Sequence, residues 1–394
     1  MGLSNTAATA LPYGTTVAPE SAVAQKQLLM RKSFGALLFC ATVVPYLVGF
    51  SHMMKFSKLH PLQDWILLLA SIHVPMTMYL FTDPAIRTQV RNGPIKFIVV
   101  PILLFAVCLL FFLASTRDIM QHKANVLTFF LVSVLSWNLW HFGKQNIGVY
   151  AYYRLSQSTG GMLPIERRLL YIGAFLGAIS VSYLGLKGYQ PQYSTDTFGY
   201  WNNMADYVSV SGKYLQYIVS MFSAVYIIYN RERFGWKTAL IFFLCVNYFL
   251  PSYLSLDVAR WGDFYAASGF SHGVQYIVFL LFHSFNTKPA LPVSKKPNAI
   301  RIMATHIYVL IFVCCFLVIG DFYYWHKVFP VVHFANETSE AYWSSLFSAI
   351  AAGILVNHFW FDSFFWKFKN KEARDWMLER YSFLFKPASI GPTK

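Results

Sequence analysis

Long apolar runs alternate with short polar segments along almost the whole chain. A helix that crosses a bilayer needs about 20 mostly apolar residues. Ten runs approach that length: 33–50, 65–81, 97–115, 126–142, 169–186, 214–229, 238–254, 265–282, 302–325 and 342–361. The sixth is the most diluted, by Gln216 and Ser220. No internal repeat or long soluble segment interrupts them. The pattern predicts an all-α fold: a polytopic transmembrane helix bundle of about ten spans, forming one domain over 33–366. Residues 1–32 read as a mobile tail and 367–394 as a basic tail. The longest outer loop is expected over 188–213, rich in Tyr, Gln, Asn and Gly.

Charge orients the bundle. When the segments between runs are assigned alternately to two sides, 24 Lys and Arg fall on the side of both termini and 8 on the other. Basic residues mark cytoplasmic loops, so both termini are expected in the cytoplasm of an integral, multi-pass protein of the inner or plasma membrane. Composition agrees. The chain of 394 residues is 56% hydrophobic, 19% aromatic and 12% charged, where a soluble domain carries about 25% charge. The net charge of +15 would point to nucleic acid in a soluble protein. Here the charges sit between apolar runs, and no nucleic-acid partner is expected; the partner is the lipid bilayer. The first 25 residues lack the basic start of a signal peptide. Cys40, Cys108, Cys245, Cys314 and Cys315 lie inside apolar runs without a CxxC pair, and read as small hydrophobes.

An ionisable residue inside a span is costly and points to function. Histidines are the main candidates. His60, His122, His326 and His333 fall in outer loops and read as solvated interface residues. Seven others lie in or at the ends of spans. A single membrane histidine more often bonds to a neighbouring helix than to a metal, but several in different helices can build a metal site in a bundle core. In Trp140-His141-Phe142-Gly143-Lys144-Gln145-Asn146, Gln145 is one turn beyond His141 and is placed to orient its ring or a bound water; Asn138 extends the polar stripe. In Ser271-His272-Gly273-Val274-Gln275-Tyr276, an amide and a phenol share the face of His272. Asp362 is one turn beyond His358. It suits either a helix-end hydrogen bond or the carboxylate that accepts the free N–H of a metal-bound imidazole. His73, His283 and His306 lack polar neighbours at helical spacing and read as packing residues. No Walker loop, GxSxG or GxGxxG is present, which removes ATP-driven and serine-nucleophile mechanisms.

Four segments in chain order, Gly49-Phe50-Ser51-His52, His141-Phe142-Gly143, Ser271-His272 with Tyr276, and His358 with Asp362, resemble the Brp/Blh family. These membrane proteins cleave the carotenoid β-carotene to retinal with non-haem iron held by histidines. Their segments read roughly G-x-P-H-G, H-F-G, H-S-x-x-H and H-x-x-x-D. This chain lacks the glycine after the first histidine and has Tyr276 where the family has a second histidine. The resemblance implies His52, His141 and His272 as metal ligands, with the fourth position supplied by His358 or left open, and Fe(II) as cofactor; Gln145, by its spacing from His141, and Tyr276 and Asp362 are the polar residues expected to serve catalysis.

The leading expectation is thus a membrane-embedded, histidine-liganded non-haem iron oxygenase, a dioxygenase by resemblance, acting on an apolar lipid or isoprenoid. The sequence names no electron-donor partner. Two alternatives stay open: a transporter or lipid-handling protein whose His, Asp and Gln line a polar path, and an assembly subunit without chemistry. Depth bears on the choice. The span limits put His52 and His272 in the outer half and His141 and His358 in the inner half, unless the helix around His141 runs on toward Tyr153.

Overall fold

Leu, Ala and Met favour helix, and an apolar run meets its obligatory backbone hydrogen bonds most cheaply that way. The computed structural model describes residues 20–53, 73–74, 77–116, 123–157, 160–188, 195–254, 261–286, 337–366 and 371–385. All regular structure among the described residues is helical. The first run lies in α1 (Glu20–Met53), which begins inside the expected tail and continues through Pro45.

The second run ends differently from expectation. Thr77–Thr82 is a 3-10 turn, not α-helix. Asp83 then caps α2 (Pro84–Asn92), where a loop was expected: its carboxylate accepts the Ala85 N–H at 2.9 Å and Pro84 opens the helix. A π turn over Ile95–Val99 leads into α3 (Val100–Thr116). α2 and the helix that follows it meet at 101°.

Three long helices pack in succession: α4 (Lys123–Ser156), α5 (Pro164–Gly188) and α6 (Thr195–Tyr229). Gly143 lets α4 approach α5, since a Cβ there would lie 2.5 Å from that of Ala174. The α4–α5 connection is pinned by a fully buried ion pair, Arg154 Nη1 to Glu166 Oε1 at 3.0 Å. Glu166 Oε2 also accepts the Leu163 N–H at 2.8 Å. Residues 195–213, expected as outer loop, are the first half of α6.

The seventh run is broken into α7 (Trp236–Val246) and α8 (Leu250–Leu254). Pro251 has no N–H to give the carbonyl of Asn247, four residues back. That oxygen accepts from the Leu250 N–H at 2.9 Å and from the Tyr46 hydroxyl at 3.1 Å. Gln216, which dilutes the sixth run, donates to Val246 O at 3.3 Å and Asn247 Oδ1 at 3.1 Å. The polar residue that weakened the sixth span repairs the break in the seventh.

α9 (Trp261–Asn286) lies along α1, and α10 (Glu337–Phe365) along α3. The ninth run, 302–325, is outside the described residues. The expected basic tail contains α11 (Lys371–Arg380) and α12 (Ser382–Phe385). Their Trp376, Met377, Tyr381 and Phe383 join a buried aromatic core with Phe34, Phe279 and Phe282. A buried cluster fastens this end. Asp83 accepts from Arg380 Nε at 3.1 Å and from Trp376 Nε1 at 3.2 Å, and lies 3.3 Å from His283 Nε2. His283, expected to be a packing residue, is a hydrogen-bond partner of Asp83.

Among the described residues one helical segment, Ala24–Leu47, is long and apolar enough to cross a membrane. The bent pair Pro84–Asn92 and Ile95–Leu110 is a second candidate. The other long helices carry amides, hydroxyls and tyrosines that lower their mean hydropathy, and many of these are paired inside the bundle.

Candidate metal centre

Four imidazoles meet where α4, α9, α10 and the residues before the 3-10 turn converge. His141 is near the middle of α4, His272 near the middle of α9, and His358 in the last third of α10. The fourth is His73, not His52. His52 lies at the end of α1, and its side chain is outside the described residues. The helix of His141 does run on, to Ser156, and so places this residue centrally.

The rings form a closed quadrilateral. Centroids are 4.5 Å apart for His73–His272, 4.8 Å for His272–His141, 5.2 Å for His141–His358 and 4.9 Å for His358–His73. The diagonal from His272 to His358 is 6.4 Å. A metal–nitrogen bond of about 2.1 Å plus a ring radius of about 1.1 Å sets each centroid about 3.2 Å from a central ion. Neighbouring rings then fall about 4.5–5.2 Å apart between square and tetrahedral geometry, and opposite rings in a square about 6.4 Å apart. The centroid separations fall in this range, but the ligand atoms close to within 4.8 Å of one another only as triads, not as one set of four imidazoles.

Asp362 adds a carboxylate on the side of the ligand nitrogens. Its Oδ2 is 3.5 Å from His141 Nε2 and 3.6 Å from His358 Nε2. Two ligand atoms at about 2.1 Å in a tetrahedral site lie about 3.4 Å apart. Two overlapping triads could hold a metal ion: His73, His272 and His358, and His141, His358 and Asp362. The role foreseen for Asp362, accepting the rear N–H of His358, belongs to another residue. His358 Nδ1 is 2.6 Å from Thr77 Oγ1, while Asp362 faces Nε2.

Burial makes the arrangement expensive. His73 is 3% exposed, His272 0% and His358 2%. His272 Nδ1 and Nε2, His141 Nε2 and His358 Nε2 have no hydrogen-bond partner. An unmet buried polar atom costs roughly 1–3 kcal/mol, so this concentration of lone pairs and N–H groups around one point calls for a ligand. Phe142 lies on His272 at 4.4 Å between centroids, and Phe359 on His141 at 4.6 Å.

The remaining foreseen residues take new partners. Gln145 does not orient His141; it donates to His272 O at 2.8 Å and to Gln275 Oε1 at 3.0 Å. Gln275 donates in turn to Thr42 Oγ1 at 3.1 Å and Asn146 Oδ1 at 3.2 Å. Gln145 therefore helps hold α9, and with it His272, against α4. Tyr276 is buried between Thr77 and Asp362, its hydroxyl 2.9 Å from Thr77 Oγ1 and 3.0 Å from Asp362 Oδ1. Sequence reasoning missed His73 and Thr77. The available signal was their spacing, a hydroxyl one turn after a histidine in an apolar run.

No family model matches this chain, and no curated protein or solved structure matches it.

Proposed function

We propose that the protein is a membrane-embedded non-haem iron oxygenase that acts on an apolar lipid or isoprenoid. The observation that carries the reading is the buried ring of four imidazoles, with Asp362 beside it and unpartnered nitrogens within it. Histidine and carboxylate donors that leave positions open suit ferrous iron. The iron supplies activation of dioxygen when bound. The chain's own residues do the rest. His73, His272 and His358, or His141, His358 and Asp362, would hold the ion, and Phe142 and Phe359 shield two of these histidines from water. His141 is the most open ligand, with 14% of its side chain exposed, so the edge of α4 beside it is the approach for a substrate. The likeness of its short motifs to the Brp/Blh family makes a carotenoid-like polyene the first substrate to try.

Multi-pass insertion is part of the same proposal. Polar groups gather inside the bundle while large apolar side chains face outward: Ile102, Leu103 and Val107 on α3, and Ile218, Phe222 and Val225 on α6. Outward apolar faces of this extent suit lipid. The basic excess on one side supports about ten spans with both termini inside. A proton-relaying transporter is less well supported. The amides nearest the cluster, Gln145, Gln275 and Asn146, are tied to one another, and amides do not exchange protons near neutral pH.

The test is metal analysis of purified, anaerobically reconstituted protein, followed by oxygen uptake with β-carotene in mixed micelles. About one iron per chain is expected, lost in His141→Ala and His358→Ala at normal membrane yield. Wild-type protein that stays iron-free after reconstitution would sink the proposal.

A further inference from the structure

His358, Thr77, Tyr276 and Asp362 form a hydrogen-bonded chain whose direction is forced by counting protons. Tyr276 Oη donates to Asp362 Oδ1 at 3.0 Å. Ionised, as it must be to face a bound cation, the Asp362 carboxylate only accepts, and a phenol has one proton. The proton of Tyr276 is therefore committed to Asp362. Its oxygen, 2.9 Å from Thr77 Oγ1, must accept from Thr77. That commits the single Thr77 proton. The remaining neighbour of Thr77 Oγ1 is His358 Nδ1 at 2.6 Å, and this contact is satisfied only if Nδ1 carries hydrogen and donates. A neutral His358 then has its lone pair on Nε2, the nitrogen that lies 3.6 Å from Asp362 Oδ2.

We propose that Thr77 and Tyr276 are positioning residues that hold His358 in the Nδ1–H tautomer and engage Oδ1 of Asp362, so that Nε2 and Oδ2 both present lone pairs to a cation. The assignment rests on the metal-centre reading for its purpose, but the tautomer itself is testable without metal. Three elements are joined by the relay: the 3-10 turn, α9 and α10. The close Thr77–His358 contact orients the ring as the outer partner of a metal-bound histidine does. Tyr276, which stands where the resembled family has a histidine, acts here through Asp362 and Thr77.

The experiment uses full-length protein in micelles, labelled with 15N at histidine, stripped of metal by chelation and held at pH 10, where the carboxylates are ionised. A difference spectrum against His358→Gln assigns the ring. Wild type should show His358 with hydrogen on Nδ1. In Tyr276→Phe the Thr77 proton loses its acceptor and turns to His358 Nδ1, and the ring should shift to the Nε2–H form. Cobalt(II) affinity, followed by its visible bands, should fall about 10–100-fold in Tyr276→Phe and in Thr77→Val. Thr77→Ser keeps the hydroxyl and should restore both tautomer and affinity. A merely structural role would lower thermal stability and leave the tautomer in place. Wild-type His358 in the Nε2–H form, or a Tyr276→Phe variant with unchanged tautomer and affinity, would overturn the relay. An Nδ1–H wild type that binds no cobalt would support the relay and overturn the metal centre.

Discussion

His272 is an unfavourable residue by every local measure. It is fully buried and neither ring nitrogen has a hydrogen-bond partner. At roughly 1–3 kcal/mol for each unmet polar atom, an apolar side chain of similar size would serve the fold better. This gives the metal reading a thermodynamic test. His272→Leu should melt at a higher temperature than wild type when both are metal-free. Added ferrous iron should reverse the order, because a ligand at 100 times its dissociation constant contributes about 2.7 kcal/mol. Thermal melts of both proteins with and without iron check this. A metal-free His272→Leu protein that melts well below wild type would show that the imidazole is a structural member of the core. Local spacing explains which parts of the site were legible. His141, His272 and His358 stood out because each has a polar residue within one turn on its own helix. His73 also has a hydroxyl, Thr77, four residues on, but its ring contacts come from His272, Tyr276 and His358 on other elements. Helical spacing also misassigned Gln145 and Asp362. Both are one turn from a histidine, yet Gln145 turns to α9 and Asp362 to the ligand side of the rings.

At the scale of elements, hydropathy located helices but not their breaks or ends. The seventh run reads as continuous, and only Pro251 marks where it parts from its own backbone. α11 and α12 were read as a tail because α11 is strongly charged. Their attachment depends on Asp83, which is almost 300 residues away in sequence from Arg380. No local pattern records such a pairing. Asp83 lies between the second and third apolar runs, outside the spans. Burial acts to raise its carboxyl, but hydrogen bonds from His283, Arg380 and the Ala85 amide, with the Arg380 charge, hold it well below the usual carboxylate range. The folded state therefore takes up this proton less readily than the unfolded chain. The stabilisation is complete above about pH 4, the ordinary aspartate value, and is lost as pH falls through the lower folded value. Asp83→Asn should lower the melting temperature at pH 7, because it leaves Arg380 buried beside a neutral amide. The gap between wild type and variant should narrow steadily below pH 4. Melting curves in detergent from pH 7 to pH 2.5 check this; a gap that does not change with pH would mean that the Asp83 charge contributes nothing to holding α11.

For the whole molecule, the question is how many times the chain crosses a membrane. Hydropathy of single helices gives one or two candidates among the described residues. The apolar runs of the sequence suggest about ten, and the alternation of basic segments, 24 residues on one side and 8 on the other, agrees with that expectation. The first count covers only the described residues, and a helix that carries polar groups into a bundle core looks less apolar than its outer surface. α5 illustrates the point. It begins with Glu166, Arg167 and Arg168, and Ser180 and Ser182 are buried within it, while Tyr171, Ile172 and Phe175 are exposed. At about 1.5 Å per residue its 25 residues reach about 38 Å, more than the roughly 30 Å hydrocarbon core of a bilayer. If α5 is a span, the turn before it and the segment after it lie on opposite sides. On that reading the basic residues assign the earlier turn to the cytoplasm. Single cysteines in a background with all five native cysteines replaced provide the measurement. Gly161→Cys and Glu232→Cys should react with an impermeant maleimide only in inside-out vesicles, and Gln192→Cys only in right-side-out cells. Gly161 is the better probe of its turn than Gly160, whose φ of 83° suits glycine alone. Labelling of positions 161 and 192 from the same side would remove α5 from the spans. The inside-out distribution of polar groups would then have to be explained as a soluble helical core.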